Sequence, residues 1–400
     1  NGVYLITKEI KNWKCSFGGG ALSYSLEVTI DGCDFSDNFV FSNLQYCSPN
    51  SYIRGGALYY RRYDNINIKK IYDNIIHNCI FKNNSLNVNG EIYGASGGAI
   101  HFENSSLLNC IFINNYIYAN TTLSNVTQFN GGCIFVSEVM NLDNSTFEKN
   151  KILVVSKYST QIKGAGLFIS YDNSSSLNIT RCIFINNSAY SFCNYSIIEG
   201  CGLYTNCSNF YINNCTFIDN FIDIRSKNYK CYGLAFYGEI QSFFVYDSYF
   251  INNYGENGSE LSFHIKKDYS IDIENCFFQS EFNHKYSIIY FTNLMDSNIF
   301  NSFSNNKIFI GEYSVVFDGI LTTLFEQKWY FNNNCIEPYE SKYFKQSQFI
   351  ILDKFGESQI EFEEAFLYGC IPTPSPIFTN SDQFSYSSIF TGSIQFSLSS

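Results

Sequence analysis

The stretch that decides the fold is Gly97–Asn115, which reads Gly-Gly-Ala-Ile-His-Phe-Glu-Asn-Ser-Ser-Leu-Leu-Asn-Cys-Ile-Phe-Ile-Asn-Asn. A strand led by two glycines is followed by a turn and by a second strand that carries Cys110 and Phe112 and closes on Asn115. The glycine signature returns at intervals of 34, 33, 36 and 33 residues between Gly97 and Gly233. A period of this length indicates a stacked repeat architecture, because one such unit cannot bury its apolar face alone.

The second signature is Phe-x-x-Asn, and it alternates with the glycine signature. Its phenylalanines are Phe35, Phe81, Phe112, Phe147, Phe184, Phe217 and Phe250, and its asparagines are Asn38, Asn84, Asn115, Asn150, Asn187, Asn220 and Asn253. Parallel strands stack about 4.8 Å apart, so equivalent residues of successive coils should form ladders in the interior. The two signatures predict an all-β fold, a parallel β-helix (solenoid) of about eight coils.

Composition agrees with this fold class and narrows the range of partners. The chain of 400 residues contains 18% aromatic residues, which suit pleated, half-buried surfaces. The formal net charge is −11 and no Lys/Arg-rich run is present, which argues against a nucleic-acid partner. No Cys or His cluster has zinc spacing and no dinucleotide or phosphate loop is present, so no metal and no cofactor is predicted.

The pattern divides the chain into four parts. Residues 1–306 are predicted to form the β-helix, and 307–370 its irregular final coils or a β cap. A Pro-rich linker at 371–376 precedes two 12-residue Ser/Phe repeats at 377–400, a low-complexity tail. The chain begins at Asn1 and stops inside a repeat, so we expect it to be an excerpt, with membrane attachment through a segment outside it.

Gly-Gly-Ala-Ile/Leu alternating with Phe-x-x-Asn resembles the signature pair of the polymorphic outer-membrane proteins, over roughly residues 15–280. The Asn-, Tyr- and Phe-rich composition is similar to the trichomonad branch of that family. The resemblance implies a right-handed parallel β-helix displayed on the cell surface as an extracellular, membrane-anchored adhesin. The implied partner is a host-cell surface protein or a glycan.

A candidate binding surface follows the buried Leu or Ile of each glycine-led strand. The next residue should face outward, and in successive units it is Tyr59, His101, Phe135, Phe168 and Tyr204, with Tyr237 in a looser register. An exposed aromatic stripe is typical of a surface that contacts sugar rings or another protein. The alternative is that the rings are covered by insert loops or merely stack on each other.

Two other functions stay open beside a non-enzymatic adhesin or recognition protein. Parallel β-helices also carry polysaccharide lyases and hydrolases, and the nearest acids at equivalent strand exits are Glu103, Glu138 and Asp172. No catalytic constellation recurs beside them, and solvated turn acids explain them as well. The third possibility is a structural spacer.

Small side chains lie two residues before each signature Phe, and we interpret Cys79, Cys110, Cys182 and Cys215 as buried thiols of one column. The better disulfide candidates are Cys15, Cys47, Cys193, Cys207, Cys231, Cys335 and Cys370. Asn-x-Ser/Thr sequons agree with an extracellular glycoprotein. Among them, Asn214 is predicted to lie in a core-facing strand and to be a poor acceptor.

Overall fold

The protein is a parallel β-helix, which confirms the predicted fold class. The computed structural model describes residues 2–7, 16–24, 29–44, 52–60, 74–122, 126–170, 176–207, 209–226, 228–254, 259–279, 287–292, 301–309, 313–320, 326–332, 334–337, 349–353, 359–363 and 367–369. All regular structure in these ranges is β-strand. No helix in the described chain is long and apolar enough to cross a membrane.

One coil passes through four sheets, which we name A to D in chain order. Its strands are Ile100–Leu108 in sheet A, Ile111–Ile113 in sheet B, Tyr116–Thr121 in sheet C and Thr127–Asn130 in sheet D. The chain then returns to sheet A at Ile134–Asp143, which pairs in parallel with the strand one coil before. Each coil therefore adds one strand, in register, to the sheets it passes through.

Sheets B, C and D are single ladders, and sheet A consists of two ladders that merge where its strands are long. Sheet B contains Asp34–Ser36, Ile80–Lys82, Ile111–Ile113, Thr146–Glu148, Ile183–Ile185, Thr216–Ile218, Tyr249–Ile251, Phe277–Gln279, Lys307–Phe309, Asn334–Glu337 and Leu367–Gly369. Sheet C contains Gly2–Thr7, Phe39–Leu44, Ser85–Gly90, Tyr116–Thr121, Lys151–Ser156, Ser188–Phe192 and Phe221–Ile224. Sheet D contains Ser16–Gly18, Tyr52–Arg54, Gly94–Ser96, Thr127–Asn130, Ser159–Lys163, Tyr195–Glu199 and Asn228–Tyr232. Sheet A contains Leu22–Tyr24, Thr29–Asp31, Leu58–Tyr60, Asn74–His77, Ile100–Leu108, Ile134–Asp143, Leu167–Ser170, Ser176–Thr180, Leu203–Thr205, Asn209–Asn213, Phe236–Tyr246, Leu261–Glu274, Ser287–Thr292, Asn301–Ser304, Tyr313–Ile320, Glu326–Asn332, Phe349–Asp353 and Gln359–Glu363.

The number of coils differs slightly from the prediction of about eight. Within the described ranges, sheets C and D each have seven strands, connected by six turns of the chain, whereas sheet B has eleven. Among the described residues, the coils beyond Tyr254 add strands to sheets A and B only. Parallel pairing continues from Lys307–Phe309 to Leu367–Gly369. The predicted linker and Ser/Phe tail lie outside the described residues.

The strand of the Phe-x-x-Asn signature is short because the chain turns sharply on both sides of it. Asn109 and Asn114 bracket Ile111–Ile113 and have φ values of +53° and +52°. Asparagine adopts this left-handed conformation more readily than most residues, since its short amide can bond locally. Asn109 and Asn114 therefore form the two corners on either side of this strand.

The signature phenylalanines stack in the interior. From Phe35 to Phe278, neighbouring ring centroids lie 4.7–5.1 Å apart in nearly parallel planes. This matches the spacing of stacked strands, so each ring covers the next with no gap.

The signature asparagines form a second interior ladder, through their amides. The backbone N–H and the Nδ2 of Asn115 both donate to Oδ1 of Asn150 at 3.0 Å, and Nδ2 also donates to the carbonyl of Phe81 at 2.9 Å. The ladder ends where the backbone N–H and Nδ2 of Asn253 donate to the carboxyl of the fully buried Glu260. Burial raises the pKa of Glu260 well above its ordinary value.

The small side chains before the signature strand also bridge the coils. The Sγ of Cys215 accepts from the backbone N–H of Cys182 at 3.4 Å and donates to the carbonyl of Asn213 at 3.3 Å. Ser145 Oγ accepts from the N–H of Cys110 at 3.1 Å and donates to the carbonyl of Asp143 at 3.0 Å. The thiol and the hydroxyl make the same pair of hydrogen bonds, which explains why either Cys or Ser can occupy this column.

The cysteines whose side chains the structure describes are thiols and form no disulfide with one another. The column residues Cys79, Cys110, Cys182 and Cys215 are buried, as predicted. The prediction of disulfides for Cys193, Cys207 and Cys231 is wrong, since these are buried thiols as well. Cys15, Cys47 and Cys370, and the side chain of Cys335, lie outside the described residues.

The glycine pair narrows the coil at a point that we call the pinch. Gly97 has a φ of +71°, which suits glycine, and a Cβ on Gly98 would lie 1.9 Å from the carbonyl oxygen of Gly132 and 2.8 Å from the backbone of Tyr116. Opposite walls of the coil thus touch through their backbones. The buried apolar residues accordingly form one core under sheets A and B and another under sheets C and D. Outside the pinch, the ends of the sheet D strands and the beginnings of the sheet A strands meet at a concave corner.

Candidate functional site

The predicted aromatic stripe lies in this concave corner, and we call Tyr59, His101, Phe135, Phe168, Tyr204 and Tyr237 the corner column. From His101 to Tyr237 the rings stack from coil to coil, with centroids 4.4–5.5 Å apart, and the ring of Tyr59 lies 5.5 Å from that of His101 with its plane tilted by 54°. Phe135 is half-buried and the others are buried. The expected exposure of this stripe is therefore not observed: neighbouring rings cover each other's faces, and the corner covers their edges.

Side chains at the ends of the sheet D strands cover the column from the opposite wall. Arg54 Nη1 donates to Tyr59 OH at 3.3 Å, and Ser96 Oγ lies 2.9 Å from Nδ1 of His101. Burial, with a smaller contribution from Arg54, lowers the pKa of His101 well below its ordinary value, so this imidazole is neutral. His101 is thus a buried packing residue and not an exposed one.

The most polar part of the corner is a group that we call the corner cluster: Lys163, Glu199, Tyr204 and Glu239. Lys163 Nζ donates to Tyr204 OH at 2.7 Å and lies 3.2 Å from Glu199 Oε2 and 3.7 Å from Glu239 Oε1. Tyr204 OH in turn donates to Glu239 Oε1 at 2.6 Å. These residues belong to four successive coils, which is why spacing along the sequence did not reveal them.

Burial dominates the electrostatics of the corner cluster. Desolvation raises the pKa of Glu199, although Lys163 opposes the shift. Desolvation and the two carboxylates raise the pKa of Tyr204. A lysine that touches a phenol between two carboxylates could move protons, but each of these groups is bonded to another member of the cluster. The arrangement closes the corner and presents none of them alone to a substrate.

The corner column is interrupted at Ser262, which is in register with Tyr237 on the next coil. Ser262 is 0% exposed and its Oγ has no hydrogen-bond partner among the residues that the structure describes. Tyr290 continues the column one coil later. The ring of Tyr232, from sheet D, lies 6.1 Å from that of Tyr237 and 6.2 Å from that of Tyr290, so it fills the space that Ser262 leaves.

A second surface, which sequence reasoning missed, lies where sheet A turns into sheet B. It is an open cleft of about 590 Å³, which we call the outer cleft, and its lining residues are Thr180, Arg181, Asn213, Asn214, Asp247 and Tyr249. Its lining is polar and it is open to solvent, so it is a surface groove and not an enclosed pocket. Asn214 is exposed at a turn with a φ of +52°, so its predicted place inside a core-facing strand is wrong.

Aromatic side chains flank the outer cleft on both sides. Tyr211 stacks on Phe244 at 4.7 Å with planes 10° apart, and we call these two residues the outer pair. Tyr249, which lines the cleft, packs against Phe277 at 5.9 Å. Tyr211 is 38% exposed and Tyr249 is 37% exposed. One signal could have revealed this surface: Arg181, Asn214 and Asp247 each directly precede a Cys or Ser of the small-residue column.

The other candidates from the sequence remain unplaced. The side chains of Glu103 and Glu138, and the whole of Asp172, lie outside the described residues. Within the described part of the chain, no three His, Cys, Asp or Glu side chains are grouped so that they could hold a metal ion.

Comparison with known proteins adds no relative: no protein-family model, no curated protein and no solved structure matches this chain.

Proposed function

We propose that this protein is a non-enzymatic recognition rod, displayed outside the cell in the manner of a polymorphic outer-membrane-type adhesin. The observation that carries the proposal is a set of exposed tyrosines distributed around two adjacent coils, on sheets A, B and D and beside sheet C. Four of the six large apolar side chains that are exposed in the described chain are tyrosines within two adjacent coils: Tyr211, Tyr229, Tyr249 and Tyr254. Tyrosine supplies large contact area at low conformational cost and is enriched where proteins bind other molecules.

The interior supports this role. The Phe and Asn ladders tie each coil to the next, which makes a stiff support for a contact surface. The proposed partner is a host-cell surface protein or a glycan. The motif pair Gly-Gly-Ala-Ile/Leu and Phe-x-x-Asn supports extracellular display by resemblance.

Binding of the labelled, purified chain to intact host-type cells tests the proposal. We expect saturable binding that unlabelled protein displaces. A bovine serum albumin control, labelled to the same degree, should show no displaceable binding. If the folded chain shows no displaceable binding either, the adhesin proposal fails and the spacer becomes the better account.

The second candidate is a carbohydrate-active enzyme, because the corner cluster holds a lysine, a phenol and two carboxyls that can exchange protons, although they are bonded to one another. Incubation with uronic-acid polysaccharides and neutral polysaccharides, assayed for new reducing or unsaturated ends, tests this alternative. An enzyme would release such ends, and Lys163→Met would abolish their release. We expect no release above that of the heat-denatured chain.

A further inference from the structure

We propose that the outer cleft binds a neutral sugar, whose ring stacks on the open face of Tyr211. This inference deepens the proposed function, on which it rests, by naming a ligand class and a place for it. It concerns a different surface from the corner column, on the outer face of the same sheet.

The outer pair and the outer cleft form one continuous surface. Tyr211 and Asn213 are two residues apart in the strand Asn209–Asn213, so their side chains share the outer face and lie about 7 Å apart along it. Asn213 lines the cleft, and Tyr211 therefore stands at its edge.

Tyr211 has one covered face and one open face. Its ring packs on Phe244 of the following coil, and the residue in register with it on the preceding coil is Asn178, which is short and exposed. In the corner column, by contrast, Phe168 has an aromatic ring on each side at 4.9 Å. At Tyr211 a ligand ring can take the place that Asn178 leaves, and the C–H face of a sugar suits an aromatic face.

Charge selects a neutral ligand. Arg181 is held by Asp143 through its Nε and Nη2 atoms, so its charge is largely compensated. Asp247 is exposed on the cleft wall, and the chain carries a formal net charge of −11. An anionic sugar would be repelled, whereas the hydroxyls of a neutral sugar can bond to the carboxylate of Asp247 and to the amides of Asn213 and Asn214.

Two sources could supply such a sugar. One is a separate glycan, and the other is an N-linked glycan of this chain, because Asn178-Ile179-Thr180 and Asn214-Cys215-Thr216 are sequons whose asparagines are exposed. The shared chemistry is a neutral pyranose on Tyr211, and the experiment separates the sources.

The test uses the full chain produced without N-glycosylation, with a chitin-type N-acetylglucosamine tetramer, a mannan oligosaccharide and a heparin oligosaccharide as probes. We expect saturable binding of at least one neutral probe and none of heparin, measured by calorimetry. Tyr211→Ala should weaken the binding by about tenfold or more, and Tyr211→Phe should retain it, because stacking survives. The matched control is Tyr118→Ala, which removes a half-buried tyrosine from sheet C.

The glycosylated chain provides the second arm. If its neutral-probe binding is lost and returns in Asn178→Gln or in Thr216→Ala, which removes the Asn214 sequon without changing a lining residue, the site holds the chain's own glycan, and if binding persists, the site takes a separate one. Either result supports the sugar site.

Binding of neither neutral probe, or binding unchanged in Tyr211→Ala, overturns the sugar site. Such a result leaves the proposed function standing if the chain still binds cells. If a neutral probe binds but the chain does not bind cells, the adhesin proposal fails and the sugar site stands.

Discussion

The corner column and the outer pair lie on the same face of the same sheet, yet one is buried and the other is open. The strand Phe236–Tyr246 contributes to both, with Tyr237 in the corner column and Phe244 in the outer pair. Tyr237 is 7% exposed, whereas Tyr211, the partner of Phe244, is 38% exposed. An outward direction on a strand therefore does not decide whether a side chain meets solvent.

The difference comes from what stands opposite each column. The glycine pinch brings the ends of the sheet D strands close to the start of the sheet A strands, so Lys163 lies against the ring of Tyr204 and Glu199 lies beside Lys163. The outer pair borders the turn into sheet B, where Asn213 and Asn214 are themselves exposed. We therefore expect the corner column to determine stability and the outer pair to determine binding.

The largest expected effect is that of Phe168→Ala. This change removes a buried ring with an aromatic neighbour on each side, and should lower the free energy of unfolding by about 3–5 kcal/mol. Tyr211→Ala, in the outer pair, should change the free energy of unfolding by less than about 0.5 kcal/mol. Urea unfolding followed by circular dichroism measures both. Equal losses would show that the two columns do not differ in the way their burial indicates.

Lys163→Met should have the next largest effect. It leaves Glu199 and Glu239 without their cation, and we expect a loss of about 3 kcal/mol, the lower end of the range for buried ion pairs. Lys149→Met is the matched control, because the Lys149–Glu148 pair is solvent-exposed on the lysine side and should contribute less than about 0.5 kcal/mol. A loss at Lys163 no greater than at Lys149 would mean that packing alone closes the corner.

Glu199→Gln tests the corner through pH. The pKa of Glu199 is raised in the folded state, so the folded protein holds this proton more tightly than the unfolded chain does. Stability should therefore fall as pH rises from the unfolded value of about 4.5 through the raised pKa. Thermal unfolding between pH 4 and pH 8 should show this fall in the parent chain and a flatter profile in the variant. A rise in the parent that the variant removes would indicate that attraction to Lys163 outweighs burial.

The smallest expected effect is that of Ser262→Ala, where the corner column is interrupted. The hydroxyl is buried without a partner, so its removal should raise the free energy of unfolding, by up to about 1 kcal/mol. Ser145→Ala removes an equally buried hydroxyl that makes two hydrogen bonds, and should cost about 1 kcal/mol instead. Opposite signs in parallel urea titrations would support the assignment, and a loss at Ser262 would show that its hydroxyl has a partner.

Much of the interior could be read from spacing. The positions of Phe112 and Asn115 recur from unit to unit, and a two-residue alternation tells which side chains share a face, so the ladders followed from the sequence. The hydrogen bonds of the Cys/Ser column were not predicted from the sequence. In a sequence a thiol resembles a small apolar side chain, and only the structure shows that it lies beside a backbone N–H of the preceding coil. The corner cluster could not be predicted, since Lys163, Tyr204 and Glu239 come from three different coils.

The sequence by itself determined the repeat, the parallel stacking and the direction in which each ladder residue points. These depend on the period of the chain and on the geometry of a strand, both of which are local. Only the tertiary structure decided that six turns carry all four sheets, that the predicted stripe is buried, and that the outer pair stands open beside a cleft. The physical reason is that the accessibility of a side chain depends on what lies opposite it. The pinch at the paired glycines closes the space opposite the corner column and leaves the outer cleft open.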